Sequence, residues 1–126
     1  MTTLPETKAC KVNIENEWLT ISFNQPEKRN ALTSELTDDI KNIFDAARDD
    51  LGVRGVTMRG EGGIFCAGGD LKMFKTGFQG GEQGMKDVEE ASALTGAFFD
   101  MINSYPKPVV MWAEGAAMAG GLGMLC

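Results

Sequence analysis

Residues 108–121 read PVVMWAEGAAMAGG, an apolar strand that runs directly into a glycine-rich segment. Residues 64–70, IFCAGGD, show the same order earlier in the chain. Because no polar residue interrupts Pro108–Ala113, we expect that strand to be buried on both faces, as in a parallel sheet. Glycine after a buried strand lets the backbone approach a ligand and aim N–H groups at it. Two such groups converging on one carbonyl oxygen form an oxyanion hole.

Each glycine segment taken alone is equally compatible with a plain tight turn. Neither segment matches the phosphate loop GxxxxGK[ST] or the dinucleotide fingerprint GxGxxG, so the signature of a nucleotide site is missing. The two segments therefore need further evidence before they indicate a site.

The rest of the chain predicts alternating strands and helices. The predicted elements are a hairpin with strands at 11–14 and 18–23, a helix from Thr33 to about Asp50 that ends at Gly52, a strand at 53–58, a glycine-rich surface loop at 75–86 and a helix from Asp87 to Asn103. The helix at 33–50 has one apolar stripe, formed by Leu36, Ile40, Ile43, Phe44 and Ala47. Strands that alternate with helices predict an α/β fold with crossover connections.

Composition excludes several classes of function. The chain has 126 residues, the size of one domain, and a formal net charge of −6, which disfavours nucleic-acid and anionic-membrane partners. It has no histidine, which removes Ser-His-Asp and Cys-His catalysis and most zinc and iron sites, so we expect no metal. Three cysteines without a CxxC pair, and no apolar leader at the N-terminus, predict a cytoplasmic protein with free thiols. Four glycines and Glu114 argue against a membrane span after Pro108.

Several motifs occur together in a definite order. They are EKRNAL at 27–32, FCAGGDLK at 65–72, KPVV at 107–110 and GAAMAGG at 115–121. In order and spacing they resemble the crotonase superfamily, the enoyl-CoA hydratase/isomerase family, over nearly the whole chain from about Val12. The resemblance implies a crotonase-like α/β spiral of repeated ββα units, of which residues 1–126 are the N-terminal part of a single domain, without a second domain.

The resemblance also implies roles for individual residues. The backbone N–H groups of Gly69 and Gly120 would be the oxyanion-hole donors for the thioester carbonyl of an acyl-CoA. Six further residues would line the CoA channel: Arg29, Ala31, Ala67, Asp70, Leu71 and Lys72. The acyl-CoA is then the substrate and no separate cofactor is expected, while family members suggest a homotrimer or a hexamer.

One departure from the family pattern bears on the reaction. Hydratases of the family carry a catalytic glutamate three residues after the second oxyanion glycine, where this chain has Gly123. Enoyl-CoA isomerisation or another enolate reaction is therefore favoured over hydration. A hydratase with its acid elsewhere, a hydrolase or dehalogenase of the superfamily, and a non-catalytic CoA-binding or assembly fragment stay open.

Three other features lead to expectations about the site and the end of the chain. Glu114 is either a buried carboxylate or a hydrogen-bonded structural residue, and Cys66 is a small core residue because no histidine is present to activate it. The apolar, uncapped end at 123–126 predicts a truncated chain that is inactive alone and whose acid–base groups lie downstream.

Overall fold

The structure, a computed structural model, describes residues 3–126. Its strands are β1 (Cys10–Glu15), β2 (Trp18–Phe23), β3 (Gly55–Gly60), β4 (Ile64–Cys66), β5 (Val109–Trp112) and β6 (Ala116–Ala117). Its helices are α1 (Ser34–Ala47), α2 (Leu71–Gln79), α3 (Gly81–Asn103) and α4 (Gly120–Leu125), with a 3₁₀ turn at Pro26–Lys28. The predicted α/β class is confirmed.

The strands form two sheets. The first has the order β1-β2-β3-β5, and the second pairs β4 with β6. The predicted hairpin is present, since β1 and β2 are antiparallel, whereas β2, β3 and β5 run parallel and are joined by crossovers that contain the helices. The parallel β4–β6 pair brings the two glycine-rich segments side by side, because each segment follows one of these strands.

Helix α1 covers one face of the first sheet. Its apolar stripe is buried as predicted, and the Oγ1 of Thr33 caps its start by accepting the N–H of Leu36 at 3.2 Å. The helix ends at Ala47, earlier than the predicted end at Gly52. Asp39 is a buried residue that the stripe did not predict, and its Oδ2 accepts the N–H groups of the two residues at positions 8 and 9.

The surface loop predicted at 75–86 is wrong, because this region is helical. Helix α2 continues to Gln79 and α3 begins at Gly81 rather than at residue 87. The glycines here allow two helices to pack closely: a side-chain carbon on Gly77 would lie 2.3 Å from Cγ2 of Val88, and one on Gly84 would lie 2.0 Å from the carbonyl oxygen of Gly77. The glycines of this region therefore permit close packing of α2 against α3 and do not indicate a loop.

The prediction that the strand at 108–113 is buried on both faces is also wrong for these residues. Val110 is 48% exposed and Trp112 is 53% exposed, while Val109 and Met111 are partly buried against the core. The reason is that successive side chains of a strand point to opposite faces of the sheet: Val109 and Met111 face the core, whereas Val110 and Trp112 lie on the opposite face.

Candidate active site

The first glycine segment is held against the loop that precedes α1. The N–H of Ala67 donates to the carbonyl of Arg29 at 3.0 Å, and the N–H of Leu32 donates to the carbonyl of Gly68 at 2.7 Å. Gly68 has a φ of +99°, a conformation that residues with a side chain rarely adopt. These bonds fix the position and the orientation of the segment.

The N–H of Gly69 points away from these anchoring bonds. A peptide bond is planar and trans, so its C=O and N–H point in opposite directions. Because the carbonyl of Gly68 is directed at Leu32, the N–H of Gly69, in the same peptide, is directed away from Leu32. Within residues 3–126, no hydrogen bond takes this N–H as its donor.

The second glycine segment forms a tight turn at Met118–Gly121. The N–H of Gly121 donates to the carbonyl of Met118 at 2.8 Å, and Ala119 has φ 49° and ψ −116°. A positive φ at the first central residue identifies a type II′ turn. The N–H of Gly120 belongs to the central peptide of this turn and lies outside its hydrogen bond, and no group in the described part of the chain accepts it.

The two segments touch. A side-chain carbon on Gly68 would lie 2.9 Å from Cβ of Ala119 and 3.3 Å from the nitrogen of Gly120. In the reverse direction, a carbon on Gly120 would lie 3.8 Å from Cα of Gly68. The contact is reinforced by the N–H of Met118, which donates to the carbonyl of Cys66 at 3.0 Å. Two unpartnered N–H groups therefore belong to two backbone segments in contact.

The other residues suggested by the sequence surround this contact. Ala31 and Ala67 are partly buried in the paired segments, and Arg29 is exposed. Asp70 caps α2, because its Oδ1 accepts the N–H groups of residues 72 and 73 at 3.1 and 3.4 Å. Leu71 and Lys72 form the exposed first turn of α2. The six residues thus lie in three places: Arg29 and Ala31 in the loop before α1, Ala67 in the first glycine segment, and the other three at the start of α2.

The chain matches the family model of enoyl-CoA hydratase/isomerase over residues 18–126. It belongs to that family. The crotonase-type fold predicted from its motifs is confirmed by its similarity to solved structures of enoyl-CoA hydratases.

Individual relatives agree with this assignment. A Bacillus subtilis (strain 168) protein named "Probable enoyl-CoA hydratase" is 37% identical over 93 residues, which cover 74% of this chain and 34% of that protein. The crystal structure of an enoyl-CoA hydratase from Polaromonas sp. JS666 matches with a TM-score of 0.82 at 32% identity, covering 94% of this chain and 45% of the other. That of an enoyl-CoA hydratase from Bacillus anthracis gives 0.81 at 26% identity, covering 94% and 44%. The chain spans less than half the length of these relatives.

Two phenylalanines that the sequence did not single out pack against the glycines of this family member. A carbon on Gly69 would lie 2.7 Å from Cε2 of Phe74, and one on Gly120 would lie 3.6 Å from Cζ of Phe99. Both rings are partly buried. Their positions on α2 and α3 give an apolar stripe only, so sequence periodicity could not have distinguished them from ordinary core residues.

Asn30 is a third residue of the site region that the sequence did not single out. It is fully buried, its Nδ2 donates to the carbonyls of Glu61 and Ile64 at 3.0 and 2.8 Å, and its Oδ1 accepts the N–H of Gln25 at 2.9 Å. These bonds tie the loop before α1 to the turn that leads into β4. A buried polar residue inside the EKRNAL motif was the available signal, because such groups persist where every bond is satisfied.

Cys66 is a core residue, in agreement with the expectation from sequence. It is buried, and burial raises the pKa of its thiol above the ordinary value, although the N–H of Gly68 at 3.4 Å from its Sγ acts in the opposite direction. A thiol that stays protonated is a poor nucleophile. Cys66 therefore packs inside the loop, and no cation in the described part of the chain lowers the pKa of its thiol.

Glu114 and Gly123 lie near the second segment. The idea that Glu114 is a buried carboxylate is wrong, since the residue is exposed. Gly123 lies one turn after Gly120 on α4, and a carbon added to it would meet Cζ of Phe99 at 3.4 Å, an ordinary contact. Gly123 also lines an open cleft of about 860 Å³ between α3, β5 and α4. The position therefore has room for a side chain and lacks one.

Among residues 3–126, every helix is too short or too polar to cross a membrane.

Proposed function

We propose that this chain forms the thioester-binding part of an enzyme that acts on acyl-CoA. In this proposal the N–H groups of Gly69 and Gly120 bind the thioester carbonyl oxygen and stabilise the enolate that forms when a proton leaves the adjacent carbon. The observation that carries the proposal is the pair of unpartnered N–H groups on touching backbone segments. Membership of the enoyl-CoA hydratase/isomerase family supports it.

The chemistry follows from where charge develops. Loss of the α-proton moves negative charge onto the thioester oxygen, and donors already held in place stabilise that charge without reorganising. The donors here need no titratable side chain, which suits a chain without histidine. Their positions are set by backbone hydrogen bonds and by the conformations of the two segments, so the donors are held in place before the ligand binds.

The remaining predicted residues form the CoA-binding part of the proposal. Arg29 and Lys72 are exposed cations on either side of the paired segments, and they offset the negative charge of CoA phosphates on a chain of net charge −6. Leu71 is 79% exposed at the start of α2, where it offers apolar contact to the ligand. Ala31, Ala67 and Asp70 complete the proposed CoA-binding set along the same stretches of backbone. No cofactor beyond the acyl-CoA substrate is part of this proposal.

The reaction favoured by the site is isomerisation of the enoyl double bond. Both reactions need a group that accepts and donates protons: isomerisation moves a proton from C2 to C4 through the enolate, and in this proposal the residue that carries it lies in the protein outside these 126 residues. Hydration in the family also uses a glutamate three residues after the second oxyanion glycine, where this chain has Gly123. Hydration is the second candidate, favoured by the names of the relatives. It would require an acid from a residue outside these 126.

The oxyanion hole is tested by removing one donor. In the full protein, Gly120→Pro eliminates the N–H, and we expect kcat for enoyl-CoA to fall by about 10²–10³, the usual effect of losing such a donor. Gly120→Ala is the matched control, because it keeps the N–H and the only close approach of its methyl is to the flexible Cδ1 of Leu32, at 2.8 Å, while Phe99 and Gly68 lie at ordinary contact distances. Equal activities of the two variants would contradict the proposal.

The choice between isomerisation and hydration is tested at Gly123. We expect the full protein to convert 3-enoyl-CoA to 2-enoyl-CoA faster than it hydrates 2-enoyl-CoA. We expect Gly123→Glu to increase hydration, because this position lies one turn after Gly120 and a side-chain carbon there meets the ring of Phe99 at ordinary contact distance. Gly123→Gln, which has the same shape without the acid, should not increase it. Hydration by the unaltered protein that outpaces isomerisation would show that the acid lies elsewhere.

The proposal includes an assembled, cytoplasmic enzyme, either a homotrimer or a hexamer. Exposed apolar side chains at Val110, Trp112 and Leu122 give a surface that association would cover. The free cysteines fit a reducing compartment. Light scattering of the purified protein tests the assembly, and a monomer at micromolar concentration would contradict it.

A further inference from the structure

Ala119 has a backbone conformation that is costly for its residue type. With φ 49° and ψ −116°, it occupies the first central position of the type II′ turn, which is dominated by glycine. An L-residue held in such a sparsely populated region is strained, and such residues cluster at functional sites. A glycine would adopt this conformation without strain. The presence of a methyl group at this position therefore indicates that the methyl has a function.

The methyl group of Ala119 contacts the opposite glycine segment. A carbon on Gly68 would lie 2.9 Å from this methyl and 3.0 Å from the carbonyl oxygen of Met118, so the methyl fills the space next to Cα of Gly68. The peptide that follows Ala119 carries the N–H of Gly120. Its carbonyl, on Ala119, accepts the N–H of Gly123 at 3.0 Å. The strained residue therefore precedes one proposed donor, Gly120, and contacts Gly68, the residue that precedes the other.

We propose that Ala119 is a positioning residue for the oxyanion hole, whose methyl group sets the separation and the direction of the Gly120 N–H relative to the Gly69 N–H. This inference rests on the proposed function. The turn hydrogen bond joins the two ends of the turn, and the N–H of Gly123 holds the central peptide by its carbonyl, on the side of α4. The contact between the Ala119 methyl and Gly68 supports the same peptide from the side of the first glycine segment and sets its distance from that segment.

Glycine at position 119 relaxes this arrangement in two ways. It removes the contact with Gly68, and it gives the backbone access to conformations in which the central peptide points elsewhere. Because a misplacement of about 1 Å can cost of order 10²-fold in rate, we expect kcat of Ala119→Gly to fall roughly 10- to 100-fold with little change in KM. The melting temperature should stay equal or rise, since strain is removed.

The experiment measures the hydrogen bonding of the carbonyl directly. The probe is butyryl-CoA labelled with ¹³C at the thioester carbonyl, a saturated ligand whose infrared stretching frequency falls when N–H groups donate to the oxygen. Three variants of the full protein are compared with the unaltered one: Ala119→Gly, Ala119→Ser, which keeps the β-carbon, and Ala116→Gly, which makes the same deletion at an exposed residue in β6.

The inference expects a particular pattern. The bound carbonyl frequency should be lowered in the unaltered protein, in Ala119→Ser and in Ala116→Gly, and at least half of that shift should be lost in Ala119→Gly, together with kcat. A full shift and full kcat in Ala119→Gly would overturn the inference and leave the oxyanion hole intact. Absence of any shift in the unaltered protein would instead overturn the proposed function. Loss of activity in Ala119→Gly with the frequency unchanged would also overturn the inference.

Discussion

Gly121 lies at the point where the two glycine segments are packed most tightly. A methyl group on this residue would lie 2.2 Å from the carbonyl oxygen of Cys66 and 2.9 Å from its carbonyl carbon. That oxygen is already held by the N–H of Met118, so it has no free direction in which to move. The substitution Gly121→Ala therefore forces backbone against backbone.

The size of the effect follows from the distance. Ordinary contact begins at 3.4 Å, so the segments must separate by about 1 Å to admit the methyl group. Overpacking of this kind costs typically 1–3 kcal/mol of stability. A displacement of about 1 Å between catalytic groups reduces the rate by of order 10²-fold. We expect Gly121→Ala to show both losses, with the loss of turnover exceeding what partial unfolding explains.

The assay pairs urea unfolding with enoyl-CoA turnover in the full protein. Gly96→Ala is the control, because Gly96 is an exposed residue of α3 with nothing within 4 Å of its added carbon. That substitution should stabilise the protein by up to about 1 kcal/mol through helix propensity and leave turnover unchanged. If Gly121→Ala leaves both the unfolding midpoint and kcat unaltered, the two segments are not packed too closely for a methyl group at this position, and the reasoning is refuted.

Two further predictions concern the buried pair Asp39 and Cys10. Asp39→Ala leaves the N–H groups of Lys8 and Ala9 without their carboxylate, which they contact at 2.8 and 2.6 Å, and should cost about 3 kcal/mol of unfolding free energy in urea titrations. Burial, and secondarily the charge of Asp39, raises the pKa of the Cys10 thiol from 9.0 to about 12. Its contribution to stability is full below pH 9 and is lost as the pH rises towards 12, by up to about 1.4 kcal/mol per pH unit, because the unfolded thiol ionises first. In Cys10→Ala, the unfolding free energy should fall less steeply with pH between 9 and 12. The same pH dependence in both proteins would contradict the raised pKa of Cys10.

Local patterns in the sequence were sufficient where one interaction dominates. The hairpin formed because apolar strands flank a two-residue turn, and Asn16 and Glu17 have the positive φ values, 52° and 64°, that such a turn needs. The apolar stripe of α1 was predicted residue by residue, since periodicity is a short-range effect. The family motifs then indicated which α/β fold these elements build.

The two wrong predictions, the loop at 75–86 and the fully buried strand at 108–113, have one physical cause. The structure that a glycine or an apolar residue adopts depends on which other elements pack against it. Gly77 and Gly84 permit helix contact, yet the same residues in isolation signal a loop. Val110 and Trp112 belong to an apolar run, yet their burial depends on what covers the face of the sheet opposite the core. Neither outcome is encoded within a window of ten residues.

The proposed site rests on the motifs, and the backbone hydrogen bonds around it account for glycine at these positions. An N–H group can serve a ligand only if the fold leaves it unpaired, and the fold must still satisfy nearly every other buried backbone group. Pairing the carbonyl of Gly68 with Leu32 frees the N–H of Gly69 on the opposite side of the same peptide, and the turn at Met118–Gly121 frees that of Gly120. The glycines are thus the consequence of exposing two donors where two segments meet, which is why each segment alone was ambiguous and the pair is informative.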